Sequence, residues 1–167
     1  MPGNRRSVRL KNIDYASTGA YFVTICVQYK RTVFGIVSGD SVILSSTGKK
    51  VEEFWLDIPD HFPSVTLDEY VVMPNHIHGI VLIHNESSSD QQEKAFQRIP
   101  VGSLSSIIRS FKAAVTTYLK QNGLSNFQWQ RGFYEHVIRS EKAMNSIREY
   151  IHLNPRKWSV DKENPDY

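Results

Sequence analysis

The chain has 167 residues, 40% of them hydrophobic and 22% charged, which suits one domain with a real core and excludes wholesale disorder or a fibrous repeat. Cys26 is its only cysteine, so neither a disulfide framework nor a thiolate metal cluster is available, and a metal here needs nitrogen and oxygen ligands. The net charge of +3 is segregated: residues 1–11 carry four bases and no acid, residues 12–93 four bases against eleven acids, and residues 94–157 eleven bases against three acids.

Taken in chain order, the basic arm 1–14 precedes a β-branched and aromatic run, AYFVTICVQ, that predicts a strand over 20–28. Two short strands at 32–37 and 41–44 flank the turn signal SGD. Thr47 is placed to cap a helix over 48–58, with Val51, Phe54, Trp55 and Ile58 at helical spacing and Pro59 after its end. Strands follow at 67–73 and 76–83, with Pro74 between them marking a bend or edge position. The polar stretch 85–98 reads as a mobile loop. Ser103 caps a helix over 104–121 that closes at Gly123, a short strand covers 133–138, and a last helix begins after Ser140 and stops at Asn154 before Pro155. This is one α+β domain over 1–167, one antiparallel sheet with helices mainly on one face. No apolar run approaches the roughly 18 residues of a membrane span and the start lacks a secretory signal, so a cytoplasmic protein with no membrane partner is expected.

Two local patterns carry chemistry. In Pro74-Asn75-His76-Ile77-His78, strand alternation puts both imidazoles on one face, where they can converge on one cation. Two hydrogen-bonded histidines on a half-exposed strand give the same pattern, and spacing alone supplies no third ligand. In the last helix Tyr150 and Asn154 are four residues apart and share a face. An ordinary packing tyrosine and a polar helix end would look alike. The basic arm and basic second half suit a polyanion, nucleic acid being the commonest, although a solvated basic surface has the same sequence pattern. Arg5, Arg6, Arg109, Lys112, Arg131, Arg139 and Lys157 are candidate phosphate contacts, and Trp129 a candidate base-stacking platform.

The runs YVVMPNHIHGIVLI, WQRGFYEHVIR and IREYIHLNPRKW, with the opening RRSVRLKNIDYASTGAYFVTICVQ, resemble the single-tyrosine transposases of the histidine-hydrophobic-histidine nuclease superfamily. The REP-associated tyrosine transposases are the most similar branch, and the resemblance spans nearly the whole chain. It implies a ferredoxin-like or RNA-recognition-like antiparallel sheet. It also implies a divalent metal, Mg²⁺ or Mn²⁺, on His76 and His78, with Asn154 where insertion-sequence relatives usually have glutamine. Tyr150 matches the nucleophile, and His136 lies in a matching context as a phosphate- or tyrosine-orienting group. The implied substrate is single-stranded DNA beside hairpins formed by inverted repeats, cleaved and rejoined through a 5′-phosphotyrosine. The short tail after Lys157 favours a monomer over a homodimer with exchanged tyrosine helices. Two other readings stay open: a non-catalytic single-strand nucleic-acid-binding module of the same fold, and a metal-dependent phosphoester hydrolase.

Overall fold

A computed structural model describes residues 18–84 and 102–167; the basic arm 1–14, with Arg5 and Arg6, and the loop expected at 85–98 lie outside the described residues. In chain order the elements are β1 (Thr18–Cys26), β2 (Gly35–Ser38), β3 (Ser41–Leu44), α1 (Ser46–Leu56), α2 (Ile58–His61), β4 (Val65–Val72), β5 (His76–His84), α3 (Leu104–Gln121), β6 (Tyr134–Ile138) and α4 (Glu141–Leu153). Short 3₁₀ segments occupy Gln28–Lys30 and Asn154–Val160. Four strands form an antiparallel sheet of order β4-β5-β1-β6, and β2 pairs with β3 as a separate hairpin. The expected α+β architecture is the one observed.

Several ends differ from the sequence expectation for local reasons. β1 leaves the sheet at Cys26, two residues before the expected end, because the chain turns through Tyr29 and Lys30 at φ +59° and +53°. The cap of α1 is Ser45, not Thr47: its hydroxyl accepts from the Gly48 N–H at 3.0 Å, so the helix starts at Ser46. Pro59 does not stop that helix. It sits in the first turn of α2, where a missing N–H costs nothing. Asn154 keeps helical angles, φ −58° and ψ −43°, despite preceding Pro155, and the chain runs on into the 3₁₀ segment. For α3 the signals held: Ser103 caps it, accepting from the Ser106 N–H at 3.2 Å.

The two faces of the sheet are divided by strand alternation. One face buries Val23, Ile25, Ile77 and Val81 against Val51 and Trp55 of α1, Ile58 of α2, and Ile107, Phe111 and Val115 of α3. A Cβ on Gly79 would stand 2.3 Å from the Trp55 ring, so this strand position has room for glycine alone. The other face carries Ala20, Phe22, Ile80, Leu82 and Ile138, covered by Met144 and Ile151 of α4. Helices thus pack mainly on one face, with α4 on the opposite one. A bulge between Leu67 and Tyr70 shifts the register of β4. Within it, Asp68 takes a two-bond contact from Arg148 of α4, both bonds 2.7 Å, and the Asp68 side chain is only 2% exposed. That buried pair fixes α4, and with it Tyr150, on the sheet.

Candidate active site

β5 is a central strand, and its odd and even residues go to different faces. His76 and His78, opposite Cys26 and Thr24 of β1, fall on the α4 face, while Ile77 between them enters the core. Both imidazoles are buried, at 0% and 5% exposure. Their Nε2 atoms approach to 3.1 Å. His76 Nδ1 bonds Asn75 Oδ1 at 2.8 Å, and His78 Nδ1 bonds Thr24 Oγ1 at 2.8 Å. Each ring is therefore held at the nitrogen remote from the convergence point, as metal-binding histidines are.

A carboxylate completes the cluster. Asp161, just past the 3₁₀ segment, joins the two histidines so that one donor atom from each lies within 4.8 Å of the others. Its Oδ2 is 3.9 Å from His76 Nε2. Burial pushes the His76 pKa down to about 4, against the opposing pull of Asp161 and the Asn154 amide, and burial followed by the neighbouring His76 pushes His78 well below its usual value. Both rings are neutral at pH 7 and able to ligate.

Tyr150 of α4 stands beside them, its ring 5.3 Å from His78 and 5.9 Å from Phe22, and it is 40% exposed. Burial raises its pKa, the Asn154 amide lowers it, and the Asp161 charge raises it. Asn154 is buried one turn on, and its Oδ1 makes no hydrogen bond. His78, Tyr150 and Asp161 border a cleft of about 640 Å³ that is also lined by Phe22, by Arg131 to Tyr134, and by Lys162 and Glu163.

The residues present fit a divalent cation. A buried carbonyl oxygen without a partner costs about 1–3 kcal/mol, and Asn154 Oδ1 is such an atom on a side chain that acts on both His76 and Tyr150. Two neutral imidazoles and a carboxylate are donors that one divalent cation can share.

The remaining candidates scatter. His136 lies on β6 opposite Phe22, so it faces the α4 side, but it is exposed and its side chain makes no hydrogen bond among the described residues. Tyr134, its neighbour on that face, borders the cleft instead. Arg109, Lys112, Trp129 and Arg131 line a second groove, of about 760 Å³, between α3 and residues 127–133, where Lys120 adds a further cation and no acid intervenes. Two of these residues are engaged in the fold. Lys112 Nζ donates to the Gln130 and Gly132 carbonyls, both at 2.8 Å, and is a strut for that loop. The half-buried Trp129 ring lines the groove while packing among Phe34, Phe111 and Phe127, and its Nε1 donates to the Lys112 carbonyl. Arg139 and Lys157 are exposed and border neither groove nor cleft. Asp161 was invisible to sequence reasoning: it lies in an aperiodic tail, with only its distance from Tyr150 to suggest it.

No family model matches the chain. A Haemophilus influenzae protein that carries only the name "Uncharacterized protein" is 41% identical over 166 residues, covering 95% of this chain and 92% of its own. A second protein of that bacterium, provisionally named a REP-associated tyrosine transposase, is 24% identical over 145 residues, covering 86% of this chain and 74% of its own. The solved structure of a REP-associated tyrosine transposase bound to a REP hairpin superposes with a TM-score of 0.62 at 24% identity, over 91% of this chain and 75% of that one. The chain therefore belongs to one family with the 41% identical Haemophilus influenzae protein, and it resembles the REP-associated tyrosine transposases in sequence and shares their fold.

Proposed function

We propose that the chain cleaves and rejoins single-stranded DNA beside hairpins formed by inverted repeats, with Tyr150 as nucleophile. The observation that carries this reading is the convergence of His76, His78 and Asp161 beside Tyr150, with His78, Asp161 and Tyr150 lining one cleft. The similar solved protein is bound to a REP hairpin, which supports the substrate class.

His76 and His78, with Asp161 and the Asn154 carbonyl as oxygen donors, would hold the divalent cation, which when bound draws charge from the scissile phosphate. Tyr150 Oη forms the new bond to phosphorus as the 3′-oxygen leaves, giving a 5′-phosphotyrosine and a free 3′-hydroxyl. The phenol proton is lost from Tyr150 and one is gained by the 3′-oxygen. Because burial raises the Tyr150 pKa, the phenol is neutral at rest and reacts only where its proton leaves with the attack. Rejoining is the reverse step: a 3′-hydroxyl attacks the phosphotyrosine and Tyr150 departs, the bond energy having been kept in the protein. Arg131, at the border of both cleft and groove, and the cations Arg109 and Lys120 support a strand path from Tyr150 toward α3. The protein acts in this reading as a monomer.

In the hydrolase reading water attacks instead of Tyr150 and no covalent species forms. For the metal, the test is cleavage of a hairpin-flanked single strand with and without Mn²⁺. The unaltered chain should cut only with metal, and His76→Gln and His78→Gln should not cut. Equal cutting by either variant would remove these residues from the site.

A further inference from the structure

Asn75 lies inside the histidine motif but has no part in the chemistry above. It is buried, at 1% exposure, and every polar atom of its side chain is engaged. Its Nδ2 faces two backbone carbonyls, Lys30 O at 3.0 Å and Glu163 O at 2.7 Å. Only an amide nitrogen can stand there, since a carbonyl oxygen would meet two other acceptors. The orientation of the amide is thereby fixed, and its Oδ1 must be the atom that meets His76 Nδ1 at 2.8 Å.

The consequence runs along the cluster. Oδ1 accepts and cannot donate, so His76 carries its proton on Nδ1 and presents a bare Nε2 to the site. Across the 3.1 Å contact, His78 Nε2 then donates to His76 Nε2, and His78 Nδ1 accepts from the Thr24 hydroxyl. Thr24 can serve either tautomer of His78 by rotating its O–H, whereas Asn75 permits one tautomer of His76. The same amide reaches the tail. Glu163 is two residues beyond Asp161, and Lys30, whose carbonyl Asn75 also holds, donates through Nζ to the Lys162 carbonyl. Lys30 sits at φ +53°, a conformation costly for a residue with a Cβ, so its turn depends on such contacts.

We propose that Asn75 is the positioning residue of this site: it locks His76 in the Nδ1–H tautomer and ties the tail that carries Asp161 to the histidine strand. The inference rests on the reading of His76 and His78 as metal ligands, but its first test needs neither metal nor DNA. In the metal-free full chain labelled with ¹⁵N, long-range proton–nitrogen spectra report which ring nitrogen of His76 is protonated. The unaltered protein should show Nδ1–H. Asn75→Asp keeps the acceptor and should keep that tautomer while losing both carbonyl contacts, whereas Asn75→Ala should lose the preference. Mn²⁺ affinity, measured by electron paramagnetic resonance, should fall roughly 10- to 100-fold in Asn75→Ala and less in Asn75→Asp. An Nε2–H His76 in the unaltered chain would overturn the proposal. So would an Asn75→Ala protein with unchanged His76 signals and unchanged Mn²⁺ affinity. Failure of the metal reading itself would look different: the unaltered chain would bind no Mn²⁺ while showing the Nδ1–H tautomer.

Discussion

The two faces of one sheet, built from alternate residues of the same strands, have opposite characters. Toward α1 and α3, Ile77 sits in a continuous hydrocarbon core with Val23, Ile25 and Phe111. Toward α4, its neighbours His76 and His78 are as deeply buried, yet they are surrounded by Asn75, Asn154, Asp161 and Tyr150. Among the described residues each face holds one buried side-chain polar atom without a hydrogen bond: Trp55 Nε1 toward the core and Asn154 Oδ1 toward α4. Only the second stands among groups that can share a cation. Burying imidazoles and a bare carbonyl is unfavourable for folding by itself, so under the proposed function the α4 face is where stability is given up for chemistry.

The largest effect that separates the faces should come from Ile77→Ala. It removes a fully buried side chain from the hydrocarbon face and should destabilise the fold by about 2–5 kcal/mol in chemical denaturation. Mn²⁺ binding, measured under conditions where the variant is folded, should change little. A large loss of metal affinity with little loss of stability would break the division between the faces.

A smaller effect should follow pH. His76 is lowered to about 4 and His78 is lowered as well, whereas in the unfolded chain both titrate near 6.5. Between these values the unfolded state binds more protons, so stability is complete above pH 6.5 and falls as pH drops toward 4. The slope should reach about 1.4 kcal/mol per pH unit for each histidine. Thermal denaturation between pH 7.5 and 5 should show this decline in the metal-free protein and less of it in His78→Gln. Ile77→Ala should keep the same slope from a lower start.

The smallest expected effect is the most diagnostic of the trade. Asn154→Leu replaces the unpartnered carbonyl by hydrocarbon of the same branched shape, and it should be neutral or stabilising by about 1 kcal/mol. The same change should weaken Mn²⁺ binding. A destabilised variant with full metal affinity would mean that Asn154 is a structural polar group and no ligand.

Much of this arrangement was legible in the sequence. Strand alternation put His76 and His78 on one face, and Ser103 with the apolar spacing that follows marked α3 at its observed bounds. Helix periodicity also put Tyr150 and Asn154 together. What sequence could not supply was the face on which each helix packs. Nothing in the apolar stripe of α4 distinguishes the two sides of the sheet, and it is the Asp68–Arg148 pair, 80 residues apart, that fixes it. Asp161 was missed because side chains brought together by tertiary folding leave no local spacing. The surroundings of Trp129 were not legible either, because an aromatic between Gln128 and Gln130 says nothing of Phe34 and Phe111, which come from elsewhere in the chain to pack against it.

The central claim is that the face bearing the histidines presents Tyr150 as a nucleophile. Its most direct test is denaturing electrophoresis of the protein with Mn²⁺ and an end-labelled single strand carrying a hairpin, followed by peptide mapping of any shifted band. The account predicts a covalent protein–DNA species mapping to the peptide of Tyr150, absent in Tyr150→Phe, which keeps the ring packed against His78 and Phe22 and should still bind Mn²⁺ and the hairpin. Mapping of the adduct to Tyr134 or another residue, or cleavage by the unaltered chain with no covalent species, would contradict it.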